Sequence, residues 1–225
     1  MSSPPFNVSL PTPTWQLLQD WAQSHYRDRT FSKDERVPSR PGLLYLVEQG
    51  AVRLVGATRG ALTEPPATVN SEPEEAFLGF VGSGQPFEIV TRSPFELQAY
   101  AHVDHTVVIW LYWQDLDAWP QLRTEVLDAF RYQHQRKLLW LSTLGQRRTI
   151  DRLLGFLSLL VEEYGQPHAQ GYCLPFPLTH AQIGSAIGST RVTVTRLMGK
   201  LRQSKLISIE DENFICLPQR LANGS

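Results

Sequence analysis

Residues Leu178 to Leu206 read LTHAQIGSAIGSTRVTVTRLMGKLRQSKL. Thr179 is placed to cap a short helix over His180 to Ala186, because a threonine hydroxyl accepts from a first-turn amide. Ile187-Gly188-Ser189 predicts a tight turn in which Gly188 is free to take a positive φ. Thr190 then caps a second helix, Arg191 to Gln203. Along it Val194, Leu197, Met198 and Leu201 recur at i, i+3, i+4 and i+7 and mark the buried side. Gly184 falls where two crossing helices must approach closely. Together these features make a helix-turn-helix pattern. From Thr179 to Leu206 the segment holds Arg191, Arg196, Lys200, Arg202, Lys205 and His180, and no acidic residue.

The other side of the second helix presents Arg191, Val192, Thr195, Arg196 and Gly199. A valine has no solvation reason to stand at the exposed start of a helix, but it suits a thymine methyl group. Arg191 beside it has the fork that pairs with guanine O6 and N7. Arg196 lies on the same face. Thr179, Thr190, Thr193, Ser189 and Lys200 are suited to phosphates, through hydroxyls, helix N-terminal amides and charge. Beyond the helix, Leu206–Ile209 and Phe214–Leu217 flank the polar turn Glu210-Asp211-Glu212-Asn213. This reads as a β-hairpin wing whose acidic tip faces away from phosphate.

Upstream, Pro120 to about Gly165 is helical. Leu122, Val126, Ala129, Gln133, Lys137, Trp140 and Leu144 recur at alternating steps of four and three, as on a helix about 38 Å long. We expect this seam to join two copies of the chain. A second stripe of Phe130, His134, Leu138 and Leu141 runs beside it, so one helix can serve two surfaces. Gly145 and Arg147-Arg148 mark a hinge, and Ile150 to Tyr164 forms another amphipathic helix. From about Phe31 to Trp119 the segments are short, β-branched or aromatic, and broken by Gly and Pro. Leu43–Val47, Ala51–Val55, Phe77–Val81, Phe87–Thr91, Phe95–His102 and Thr106–Tyr112 read as strands of a sandwich or barrel. Residues 57–76, with three prolines and four acids, read as a long exposed loop and a candidate surface for a protein partner. Trp15 to Tyr26 is a short helix, and residues 1–14 are a flexible arm.

Composition agrees with a globular chain: 42% of the 225 residues are hydrophobic and 19% are charged. No run of about 18 apolar residues predicts a membrane span. Met1-Ser-Ser-Pro-Pro has no secretory pattern. Two cysteines, Cys173 and Cys216, are too few for a disulfide framework or an all-cysteine metal centre, and a reduced cytoplasmic setting fits them best. The formal net charge of −1 hides an asymmetry: residues 1–120 carry a balance of −6, and residues 121–225 one of +5. A basic C-terminal half is the composition of a polyanion binder.

The stretch STRVTVTRLMGKLRQSKLISIEDENFICL resembles the winged helix of the cyclic-AMP-receptor and fumarate-nitrate-reduction (CRP/FNR) regulator family. Its TRVTVTRL core is most similar to the cyanobacterial nitrogen-control members. ERVPSRPGLLYLVEQGAVRLV is similar to the family's first strands. The resemblance covers roughly residues 15–218. It implies an α+β chain with a flexible arm over 1–14 and a cyclic-nucleotide-binding-like β-roll (a jelly roll) over 15–119. A dimerisation helix over 120–146 and a winged helix-turn-helix over 147–220 complete it. It implies a cytoplasmic transcription regulator, not an enzyme, that binds double-stranded DNA as a homodimer. The partner expected besides DNA is RNA polymerase or a regulatory protein.

The resemblance also distributes roles. Arg191 matches the guanine-reading arginine, and Arg196 a second contact on the same face. Val192 stands where cyclic-AMP regulators have glutamate, which favours a GTA-N8-TAC palindrome. Thr179, Thr190 and Thr193 match backbone-contacting positions. In the sensor, Pro86-Phe87-Glu88-Ile89 stands near the usual Gly-Glu-Leu, and Glu96-Leu97 near the usual phosphate-gripping Arg-Ser or Arg-Thr. A carboxylate there repels a cyclic phosphate, so a cyclic nucleotide is not expected; no cofactor or metal is expected, and the effector is not named by the sequence. Nitrogen-type regulation by 2-oxoglutarate is the alternative, with Arg92, Gln133 and His134 as pocket candidates and Arg123 and Arg131 as further cations. A cupin-like enzyme with a helical appendage is the reading from another class. Its metal would fall to His102 and His105, whose spacing of three points them to opposite faces of a strand.

Overall fold

The computed structural model describes residues 12–38, 40, 42–58, 75–89, 91–92, 95–169, 171–210 and 214–218. The described residues divide into two compact units, one ending at Tyr132 and the other beginning at Gln133. The expected arm lies outside the described residues as far as residue 11, and so does most of the expected 57–76 loop, between positions 58 and 75.

The first unit opens with helix α1 (Thr12–Ser24), three residues earlier than the apolar spacing suggests. Among the described residues nine strands follow: β1 (Asp28–Phe31), β2 (Arg36–Val37), β3 (Leu43–Gln49), β4 (Ala51–Thr58), β5 (Glu75–Gly82), β6 (Pro86–Glu88), β7 (Thr91–Arg92), β8 (Phe95–Ala101) and β9 (Thr106–Tyr112). They form two antiparallel sheets, β1-β9-β3-β6 and β2-β8-β4-β5, with β7 on β8. The unbroken apolar run of β3 has a physical reason, because the strand is buried on both faces. Leu43, Tyr45 and Val47 enter one core with Phe31, Val52, Phe87 and Val108. Leu44 and Leu46 point the other way, into a second core with Leu18 and Ala22 of α1 and Ile109 and Leu111 of β9. Each fully buried leucine there contributes roughly 2 kcal/mol of transfer free energy.

A 3₁₀ turn (Trp113–Ala118) leads into helix α2 (Pro120–Leu144). Pro120 suits the first helical position, where its missing N–H costs nothing. Leu122 and Val126 belong to the second core, and Ala129 is also buried. This corrects the expected dimer seam at Leu122, Val126 and Ala129. The stripe is apolar because it closes the protomer's own β-roll, so those side chains have no surface left for a second copy. Leu127, Leu138, Leu139 and Leu141 of α2 are exposed instead, each at 50–62%.

The second unit continues through α2 to helix α3 (Thr149–Tyr164), which buries Leu153, Phe156, Leu157, Leu160 and Val161. Then come β10 (Gln166–His168), β11 (Gly171–Cys173), α4 (His180–Ile187), α5 (Arg191–Gln203), β12 (Ser208–Ile209) and β13 (Ile215–Leu217). The wing hairpin β12-β13 extends into a four-stranded sheet, β10-β11-β13-β12. The sequence alone suggests a plain surface loop over residues 165–171 and gives no sign of β10. Cys173 and Cys216 face each other across β11 and β13 and are disulfide-bonded. That pairing runs against the reduced setting expected for them.

Candidate nucleic-acid interface

The helix-turn-helix is assembled from local chemistry. The Thr179 hydroxyl accepts from the Gln182 amide at 3.1 Å, and the Gln182 side chain accepts from the Thr179 amide at 3.0 Å. This reciprocal box satisfies two otherwise orphaned donors of α4. The helix ends at Gly188, which takes a left-handed φ of 61°, a conformation glycine enters without a steric penalty. At Gly184 a Cβ would stand 2.8 Å from the Ser189 carbonyl oxygen, so only a glycine lets the turn fold back on α4. Thr190 caps α5 by accepting from the Thr193 amide at 3.2 Å.

α5 buries Val194, Leu197, Met198 and Leu201. Arg191, Val192, Thr195, Arg196, Lys200 and Arg202 are exposed. Val192 is 80% exposed, and by helical spacing it is centred opposite the buried stripe. Among the described residues, no ion pair engages Arg191, Arg196, Lys200, Arg202 or Lys205. α5 carries no acid in its first turn, and Arg191 stands there against the helix dipole. A cation at that end costs a few tenths of a kcal/mol. An uncompensated cationic face with an apolar centre has no structural use of its own.

The hydroxyls are more occupied than the sequence suggests. Besides capping, Thr190 donates to the Thr193 hydroxyl at 3.0 Å. Thr195 donates to the Arg191 carbonyl at 2.9 Å and meets His180 Nδ1 at 2.8 Å, which ties the start of α4 to the exposed face of α5. Ser189 is half-buried in the turn. Two supports escaped sequence reasoning. Trp140 Nε1 of α2 donates to the Ala186 carbonyl of α4 at 3.1 Å, and its ring lies 5.5 Å from that of Phe156. Arg136 of α2 binds Glu162 of α3 at 2.8 Å, approaches Glu163 at 3.5 Å, and donates to the Leu159 carbonyl. A tryptophan and an arginine in step with an apolar stripe are the only signal the sequence gives of either.

Residues 151–223 match the family Crp-like helix-turn-helix domain. The C-terminal part of the chain is a Crp-like helix-turn-helix domain. The resemblance read from the sequence is thereby borne out for this domain. The chain is 41% identical over 95 residues to the global nitrogen regulator of Synechococcus elongatus, covering 42% of this chain and 43% of that protein. It therefore spans less than half the length of the nitrogen regulator it matches. To the regulatory protein CysR of the same organism it is 28% identical over 187 residues, covering 80% and 78%. A CRP-family transcriptional regulator from Thermus thermophilus shares the fold, with a TM-score of 0.62 at 20% identity over 88% of this chain and 97% of that one. The α+β reading, a β-roll followed by a Crp-like domain, stands.

In the β-roll, Phe87 is buried and stacks on Tyr45 at 5.1 Å. Glu96, near the position the resemblance gives to a phosphate-gripping arginine, pairs with Arg36 at 2.9 Å. Arg92 lies on β7, with its side chain outside the described residues. Arg123 pairs with Asp117 at 3.0 Å, and Arg131 is exposed. On α2 Gln133, Trp140 and Leu144 are half-buried, and Lys137 and His134 are exposed. His102 is buried against Phe80, whereas His105 is exposed in the turn between β8 and β9, at φ 57°. Among the described residues, no helix is long and apolar enough to cross a membrane.

Proposed function

We propose that the chain is a sequence-specific DNA-binding transcription regulator, acting in the cytoplasm as a homodimer on a palindrome of the GTA-N8-TAC kind. The observation that carries this reading is the outward face of α5, cationic, without an ion pair among the described residues, and centred on an exposed valine. Arg191 pairs with guanine O6 and N7, Val192 meets a thymine methyl, and Arg196 makes a second contact along the groove. Thr193, Lys200, Ser189 and the capped starts of α4 and α5 hold the backbone. α2 is the dimerisation helix, and its exposed Leu138 and Leu141 replace the buried stripe as the seam. Two recognition helices then fall one DNA turn apart, about 34 Å. The β-roll over 15–119 is a sensor that takes no cyclic nucleotide: by the resemblance Glu96 stands near the phosphate-gripping position, and a carboxylate there, paired with Arg36, repels a cyclic phosphate. RNA polymerase is the partner on the promoter.

The test is a fluorescence anisotropy titration of a labelled GTA-N8-TAC duplex against a scrambled duplex at one near-physiological salt concentration. The reading predicts binding at least about a thousandfold tighter to the palindrome. Equal, salt-driven binding to both would leave charge alone as the interaction.

A further inference from the structure

The sheet of the second unit brings three metal-binding side chains together. Cys173 on β11 lies directly opposite Cys216 on β13. On its other side Cys173 faces Gln166 of β10. His168 stands two residues along β10 from Gln166, and so on the same face of the sheet. One ligand atom from each of His168, Cys173 and Cys216 lies within 4.8 Å of the other two. Both cysteines are buried, and His168 is exposed. The cluster thus has a dry floor and an open rim by which an ion can enter.

We propose that His168, Cys173 and Cys216 form a redox-gated site for one thiophilic d¹⁰ cation, Zn(II) or Cu(I). A cation about 2.3 Å from each sulfur and 2.0–2.1 Å from an imidazole nitrogen sets its ligands roughly 3.6–3.8 Å apart in a tetrahedral array. The imidazole is within side-chain reach of that spacing. The sulfurs part to it by rotation about their Cα–Cβ bonds once the disulfide opens. Two thiolates and one imidazole select these cations over hard ones such as Mg(II).

The gate is the disulfide, in which neither sulfur is a thiolate. A dithiol reductant delivers two electrons and two protons. The S–S bond breaks to give two thiols, and the reductant closes to its own disulfide. The cation then displaces the two thiol protons to solvent as the metal–sulfur bonds form. The cysteines lie 43 positions apart and enclose α4, α5 and β12. Disulfide or ion, each holds both ends of the segment that presents α5.

The test uses the full chain in two samples, one reduced and one oxidised. Co(II) serves as the spectroscopic probe of the Zn(II) site, and Cu(I) is titrated against a chromophoric chelator. The proposal predicts one equivalent bound by the reduced chain, thiolate charge-transfer absorption with Co(II), and both cysteines protected from alkylation by bound Zn(II) or Cu(I). The oxidised chain binds neither cation. His168→Ala, at an exposed position that leaves the disulfide intact, weakens binding by about tenfold or more, the scale seen even for outer-shell partners. Cys216→Ser abolishes it while circular dichroism stays unchanged. The cation held at the lower free concentration identifies the resident. Three results would overturn the proposal: no stoichiometric uptake of either cation by the reduced chain, equal uptake by the oxidised chain, or undiminished affinity in His168→Ala.

Discussion

Replacing Arg136 with methionine tests how the second unit is held together. The Arg136 side chain is 10% exposed, and Glu163, 3.5 Å from its Nε, is 12% exposed. Glu162, its other partner at 2.8 Å, is 53% exposed. Arg136→Met leaves the Glu163 carboxylate buried without its guanidinium, which costs about 3–5 kcal/mol. Glu162→Gln breaks a solvent-facing contact and costs about 0–1 kcal/mol. Arg136→Met with Glu163→Met removes both buried charges and returns to within about 1 kcal/mol of the parent, because apolar residues of similar volume replace the pair. Hydrogen exchange on α3 in the full chain reads these numbers locally. A loss of about 3 kcal/mol speeds the slowest amides of α3 roughly 150-fold, at 1.36 kcal/mol per decade. The reasoning fails if Arg136→Met speeds exchange less than tenfold, or if the double variant is as labile as the single one.

Three further outcomes follow from the same structure. If Val192 meets a thymine methyl, replacing that thymine with uracil weakens parent binding roughly fourfold, at about 0.8 kcal/mol per buried carbon. Val192→Ala is then insensitive to the same change, and equal sensitivity in both proteins contradicts the contact. Leu138→Glu with Leu141→Glu yields monomers by sedimentation. Leu122→Ala leaves the dimer intact and lowers the stability of the β-roll by about 2–5 kcal/mol, and the reverse pattern would restore the buried stripe as the seam. Burial, with Asp28 adding to it and Gln19 opposing, raises the Glu48 carboxyl above its ordinary pKa of 4.5. The native state therefore keeps the proton longer than the unfolded chain does, and stability falls as pH rises from 4.5 through the raised value. Glu48→Gln flattens that part of the melting curve against pH, and an unaltered profile would refute the assignment.

The helix-turn-helix was legible because each of its constraints is local. Two threonine caps, Gly184, Gly188 and one apolar stripe fix α4, the turn and α5 within a few residues of one another. The larger strands of the β-roll were legible for a similar reason, since turn residues bound short β-branched runs. The role of the apolar stripe on α2 was not legible. Periodicity shows that Leu122, Val126 and Ala129 are buried, but not whether they meet their own β-roll or a second copy. β10 escaped because Gln166-Pro167-His168 is short, exposed and without alternation. The meeting of Cys173 with Cys216 escaped because it depends on strand register across 43 positions. In the β-roll, the sequence marks Glu96 as a departure from the expected arginine, but its pairing with Arg36 depends on where β2 lies against β8.

The measurement that bears most directly on the central claim is the guanine preference of Arg191→Ala. Parent and variant are titrated with the GTA-N8-TAC duplex and with one in which each half-site guanine is replaced by adenine. If α5 reads bases through Arg191, the variant loses about 1–3 kcal/mol on the palindrome and binds the two duplexes alike. Its weaker, salt-dependent binding to unrelated DNA persists. A variant that keeps both the parent's affinity and its preference for guanine would show that α5 does not read the site through Arg191.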